Sequence, residues 1–168
     1  MATFTDIWDV TPDTADSRAR TLIPADSMIW DFADEDSPLG NDIGADTFAA
    51  YLDFRVEQPT GPVKKFISNL FDVFELEDAD WDLLESEAVL EALEEDEGFS
   101  VLTRDDFILG LAFAQLVTEG AVDELVKSRA LLALKRQSLD LVLDYRDRDD
   151  SVTRKDQLEE LSLILARA

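Results

Sequence analysis

Residues 60–76 read TGPVKKFISNLFDVFEL, and this stretch decides the fold class. Val63, Phe66, Ile67, Leu70, Phe71 and Phe74 fall at i, i+3, i+4, i+7, i+8 and i+11. That spacing lays one wide apolar stripe along a helix. Thr60-Gly61-Pro62 supplies the start, because proline fits the first turn, where its missing N–H would have no intrahelical partner. The pattern predicts a helix from Pro62 to near Leu76.

The same period continues in both directions. Downstream, Glu77-Asp78-Ala79-Asp80 leads into a helix that runs to about Glu97, with Gly98 as its natural C′ residue. Leu83, Ser86, Val89, Leu90 and Leu93 form the predicted inner face. Thr103-x-x-Asp106 resembles a capping box, with aspartate in place of glutamate. Behind it, Phe107 to Val117 is apolar nearly all round, which predicts a central helix ended by Gly120. A long, kinked helix is expected from Ala121 to about Tyr145. Ser151 or Thr153 caps a last helix, with Leu158, Leu161, Ile164 and Leu165 inward. Upstream, a helix begins near residue 43. Before it, Pro12, Pro24 and Pro38 come too close together for long helices. The apolar bursts there, with Trp8 and Trp30, predict an arm packed on the rest. The expectation is a mainly α fold: a compact bundle of about five to six helices over 43–167, with an irregular arm over 1–40, in a single domain of 1–168.

Composition removes whole classes of chemistry. The 168 residues contain no cysteine and no histidine. Disulfides, thiolate metal sites, cysteine nucleophiles, imidazole bases and the usual zinc sites are therefore excluded. The opening residues carry Asp6 and Asp9 and no basic, apolar leader pattern, so a cytoplasmic location is expected. No apolar run approaches the length of a membrane span.

Thirty-nine acids face fifteen bases, a net charge of −24. Such a chain is repelled by nucleic-acid phosphates and by anionic membranes, so neither is an expected partner. A basic protein is the partner that the charge favours. The charge is also uneven. Residues 1–100 hold 26 acids and 5 bases, a net −21, and the remainder carries only −3. Internal pairing between basic C-terminal helices and acidic N-terminal ones would account for this. Salt adaptation would also favour acids, and aspartate outnumbers lysine 25 to 5, but it should act along the whole chain.

Specific sites find little support. A calcium loop beginning at Asp78 would put Leu83 at the glycine position and Val89 at the glutamate position, so it fails at both. Asp78, Asp80 and Asp82 suit a helix start instead. A magnesium-dependent helical hydrolase needs paired carboxylate motifs on facing helices. Glu91-x-x-Glu94 with Glu95 supplies one half, and the second is missing. No phosphate-binding glycine loop or nucleophile elbow is present. No cofactor is implied.

The acidic helix is more informative. Glu87, Glu91 and Glu95 recur at i, i+4 and i+8, on one stripe, and no lysine or arginine lies between residues 66 and 103. Like charges at that spacing cost a few tenths of a kcal/mol per pair. Glu94, Glu95, Asp96 and Glu97 sit at the predicted helix C-terminus, where the dipole disfavours anions. These six residues form a candidate docking face, and the plain alternative is a solvated or internally paired surface. Asn41 and Asp42 are a second candidate, in a polar loop beside Trp30, although either can simply cap the following helix.

That loop carries a resemblance. Trp30, Pro38-Leu39-Gly40-Asn41-Asp42 and Ala45-Asp46 resemble the opening of the small bacterial proteins grouped as domain of unknown function 4259, which show a tryptophan and an N-D-x-A-x-D pattern at the first helix. Here Gly44 places the alanine one step late, and the resemblance covers residues 30–46. It implies a bacterial origin and no particular activity.

Three functions are thus open. A non-enzymatic, acidic protein-binding module comes first, in the form of an immunity protein or antitoxin that binds a basic protein. A housekeeping or structural protein whose acidity is only solvation or salt adaptation comes second. A carboxylate- and magnesium-dependent hydrolase comes last.

Overall fold

The computed structural model describes residues 4–146 and 150–168, and among them all regular structure is helical. Eight α-helices follow in order: α1 (Ser17–Leu22), α2 (Asp42–Glu57), α3 (Val63–Phe74), α4 (Ser86–Glu95), α5 (Phe99–Glu119), α6 (Glu124–Gln137), α7 (Asp140–Tyr145) and α8 (Ser151–Arg167). Two single 3-10 turns, Ile7–Asp9 and Met28–Trp30, punctuate the first 40 residues.

The centre is α5. From Phe107 to Val117 every residue is buried, as an all-round apolar run requires. Helices α1, α2, α4 and α6 pack around it, and α8 packs on α6. The α3 stripe meets this centre through rings: Phe66 and Phe71 lie 6.3 and 5.1 Å from Phe107, centroid to centroid. The N-terminal segment is irregular apart from α1 and the two turns. It is tied down by Phe4, Val10, Ala15, Ala19, Ile23, Ile29 and Leu39, all buried in the main core.

The contact between α2 and α5 is a backbone contact. A Cβ added to Gly110 would lie 2.7 Å from the Gly44 Cα, and one added to Gly44 would lie 1.9 Å from the Pro38 carbonyl oxygen. Both glycines are therefore set by close approach. Gly44 lies in the first turn of α2, where its Cβ position meets the Pro38 carbonyl, and only a hydrogen fits there.

Several boundaries differ from the sequence expectation. Helix α4 begins at Ser86 instead of near Asp80, and it ends at Glu95. Gly98 is therefore not its C′ residue. At φ 75° it is the N-cap of α5. Thr103 and Asp106 lie inside α5, so they form no capping box. Val89 and Leu93 are buried as expected, but Ser86 and Leu90 face solvent. Leu83 packs against Val89 and Leu93 from the preceding loop, in a small second core with Val101 and Val142. The expected long helix of 121–145 is two helices, because Leu139 is extended (φ −67°, ψ 135°) and turns the chain toward α4. Together with α1, that break raises the helix count above six. Asp150, not Ser151 or Thr153, caps α8, accepting from the Thr153 N–H at 3.0 Å.

Helix propensity alone says that Gly110→Ala should stabilise α5 by ~1 kcal/mol. The close approach reverses the sign. Gly110→Ala is expected to destabilise the protein by about 1–3 kcal/mol in denaturant unfolding. A stabilised variant would contradict the crossing.

Candidate functional site

The residues between α3 and α4 build one side of the candidate site, and arginines from behind hold them in place. Arg136 of α6 is 1% exposed, and Asp105 of α5 is fully buried. They pair through two bonds, Nε to Oδ2 at 3.0 Å and Nη2 to Oδ1 at 2.6 Å. Nη1 of the same guanidinium donates to the carbonyls of Trp81 (3.1 Å) and Leu83 (2.6 Å). Burial pushes the Asp105 carboxyl up from its ordinary value, while the hydrogen bonds and charge of Arg136 pull it down. The carbonyls used by Arg136 belong to the segment that the sequence pattern assigns to the first turn of a helix. A helix there would need those carbonyls for itself, which is why α4 starts late.

Two more arginines converge on Trp81. The Arg104 and Arg129 guanidinium carbons lie 5.1 and 4.6 Å from its ring centroid, and Phe71 stacks on it at 5.8 Å. Arg129 also pairs with Asp78 at 2.9 Å, and the Trp81 Nε1–H donates to the same carboxylate at 2.7 Å. Asp78 thus anchors a loop instead of starting a helix.

Arg104 donates through Nη1 to the carbonyl of Ala79 and through Nη2 to that of Asp80, the latter at 3.4 Å. Its Nε has no hydrogen-bond partner although the residue is only 7% exposed. Burial pushes this guanidinium down from its usual value. Arg104 lines a slot of about 330 Å³ between residues 75–83 and the α4–α5 junction. Glu75, Glu77, Asp80, Glu95 and Asp96 line the same slot. Glu75, Asp80 and Glu97 are the non-glycine residues with left-handed backbones (φ 55°, 55° and 58°) among the described residues. Two of them line the slot and the third follows Asp96.

The candidate residues are placed as follows. Glu87, Glu91, Glu94, Glu95, Asp96 and Glu97 are all exposed. Among the described residues no ion pair reaches any of them. Asp96 also acts locally, accepting from the Ser100 N–H at 3.1 Å and from the Ser100 hydroxyl, and so caps α5. The last four acids therefore sit at the positive end of the 21-residue α5 as well as at the negative end of α4, so local structure relieves part of the expected repulsion. Asn41 is the N-cap of α2. It accepts from the Gly44 N–H at 2.8 Å and donates to the Ser37 carbonyl at 2.9 Å, so both ends of its amide are used within the chain. Asp42 is exposed in the first turn of α2.

A second polar cluster lies across the core. Tyr51 donates to Glu119, Arg55 Nε reaches Glu119 at 2.7 Å, and Arg55 Nη1 donates to the Gly61 carbonyl at 2.7 Å. Burial, and next the bond to Glu119, push the Tyr51 phenol well above its ordinary value, so it stays a donor. The cluster ties α2, α5 and the α2–α3 turn together. Among the described residues no group of acids is placed to hold a metal ion, and no helix is long and apolar enough to cross a membrane.

The buried charges are not expected from periodicity, although the sequence carries a signal for them. Arg104-Asp105-Asp106 is a charged triplet running straight into the apolar Phe107–Val117, where a charged residue on the same helix must find a partner inside. No protein-family model, curated protein or solved structure matches the chain.

Arg136→Met leaves Asp105 charged, buried and alone, and is expected to cost about 3–5 kcal/mol in denaturant unfolding, with much of it recovered in Arg136→Met/Asp105→Leu. A single-variant cost below ~1 kcal/mol would contradict the buried pair. Glu75, at the αL position ending α3, should tolerate glycine well: Glu75→Gly is expected to raise stability by up to ~1 kcal/mol. A loss of stability would mean that its side chain holds the turn.

Proposed function

We propose that this protein is a non-enzymatic binding module that docks a basic protein through the acidic face of α4 and the residues after it, in the manner of an immunity protein or antitoxin. The observation that carries this reading is that the arginines nearest the acidic loop are spent inside. Arg104, Arg129 and Arg136 hold the carbonyls, the ring or Asp78 of residues 78–83, and Glu87, Glu91, Glu94, Glu95 and Glu97 have no cationic partner among the described residues.

Apolar anchors stand among these charges. Leu90 lies between Glu87 and Glu91 and is 46% exposed, and Phe99 follows Glu97-Gly98 and is 56% exposed. Exposed large apolar side chains ringed by charge suit an interface in which burial supplies affinity and charge supplies approach rate and selectivity. The resemblance of residues 30–46 to domain of unknown function 4259 would set the module in a bacterium, and its charge suits a cytoplasmic setting. The magnesium-dependent hydrolase is disfavoured, because its second carboxylate motif is missing from the sequence.

The test is capture from native lysate at low salt, eluted by a salt step and read by mass spectrometry, with three baits: the wild-type chain, Glu87→Lys/Glu91→Lys/Glu95→Lys, and a control with the same charge change on α2, Asp46→Lys/Asp53→Lys/Glu57→Lys. Circular dichroism should be unchanged in all three. One stoichiometric basic protein, lost only with the α4 reversal, is the expected result. Survival of capture in the α4 variant, or equal loss in both variants, would leave the acidity as solvation.

A further inference from the structure

An apolar groove runs beside α8, built from residues that the acidic face of α4 does not use. The segment from α1 to residue 27 lies antiparallel to α8. Arg18 Nη2 donates to the Arg167 carbonyl at 3.1 Å, and further along the Ser27 hydroxyl donates to Glu160 Oε1 at 2.7 Å. Beside these two ties the walls leave a groove of about 380 Å³. Its apolar lining is Leu22 and Pro24 on one wall and Leu163 and Ile164 on the other. Ile164 is buried, whereas Leu163 is 53% exposed. The first wall is preformed: the Pro24 carbonyl accepts from the Ser27 N–H at 3.0 Å and from the Trp30 Nε1–H at 2.9 Å.

The charges around this apolar strip are sorted by sign. Asp156, Glu159 and Glu160 stand on the α8 wall toward the start of the helix, and among the described residues no ion pair reaches them. Arg167 stands at the other end. Between Asp156 and Arg167 a helix rises about 16 Å, close to three turns. An occupant therefore needs an apolar face, cations beside 156–160 and none beside Arg167. A second copy of this chain fails on charge, because each copy carries −24. An anionic membrane fails for the same reason.

We propose that this groove docks a short amphipathic helix of a basic protein, with an apolar side chain seated against Leu22, Leu163 and Ile164 and its cationic end on Asp156, Glu159 and Glu160. Apolar burial supplies the seat, and the sorted charge fixes the direction in which the helix lies. The groove shares no residue with the α4 docking face and does not rest on that reading.

The probe is a synthetic, end-capped leucine–lysine–alanine helix of about 12 residues with its lysines in one half. It is titrated calorimetrically into the full chain at about 0.15 M salt, which screens general attraction. Saturable one-site binding is expected. Leu163→Asp separates seat from charge, because it adds an acid while spoiling the apolar contact. Attraction by charge alone predicts equal or tighter binding, and the groove predicts binding at least about tenfold weaker. Leu163 is half-exposed, so the variant should keep its fold, which circular dichroism checks. A peptide of the same charge with serine for leucine should lose binding to a similar degree. Asp156→Asn/Glu159→Gln should weaken binding, and Glu87→Gln/Glu91→Gln on α4 should leave it unchanged. No saturable one-site binding by ~1 mM would overturn the proposal, as would equal or tighter binding by Leu163→Asp, or a loss confined to the α4 variant. The groove variants leave α4 intact, so failure here leaves the docking face standing, and failure of the capture experiment leaves the groove standing.

Discussion

Arg136 is the group on which the candidate surface depends. One buried guanidinium joins α5, through Asp105, to the carbonyls of Trp81 and Leu83, and it does so from α6. A charge so placed is stable only with its hydrogen-bonding capacity filled, so the loop is as necessary to Arg136 as Arg136 is to the loop. Residues 78–83 are held open as irregular backbone by this bond set and by the contacts of Arg104 and Arg129 around Trp81. The late start of α4, the slot beneath its end and the left-handed Asp80 follow from the same constraint.

The bond set also explains why so acidic a surface meets no base among the described residues. The near-neutral charge of the C-terminal third suggests that its bases lie against the acidic helix. Only part of that holds. Arg129 does pair with Asp78, but Arg136 and Arg104 turn inward, and Arg146 pairs with Asp106 of α5. Arg104, Arg129 and Arg136 serve the interior and the loop, and the α4 carboxylates are exposed. The siting of Glu94, Glu95, Asp96 and Glu97 beside the start of α5 offsets some of the mutual repulsion through the helix dipole.

What is legible in the sequence is whatever periodicity controls. The α3 stripe, the all-apolar centre of α5 and the exposure of Glu87, Glu91 and Glu95 are each local consequences of the helical repeat. What stays hidden is set by distant partners. Arg136 bonds to Trp81 across 55 residues, and no window around residue 80 contains that information. The charged triplet 104–106 resembles a helix start because charge usually means surface, whereas here two of its three members are buried. Gly110 likewise resembles an interruption, and its meaning lies in the Gly44 backbone packed against it. Among the candidate residues, the exposed acidic stripe is readable from the sequence and the buried guanidinium of Arg104 is not.

The central claim is that the α4 carboxylates have no cationic partner among the described residues. Denaturant unfolding at low and high salt, for the wild type and for Glu87→Gln/Glu91→Gln/Glu95→Gln, tests it most directly. Neutralisation is predicted to raise the unfolding midpoint at low salt, and the gain should disappear near 1 M salt, where the screening length falls to about 3 Å. A midpoint that falls on neutralisation at low salt would mean that these carboxylates already have cationic partners in the folded chain, and the claim would be wrong.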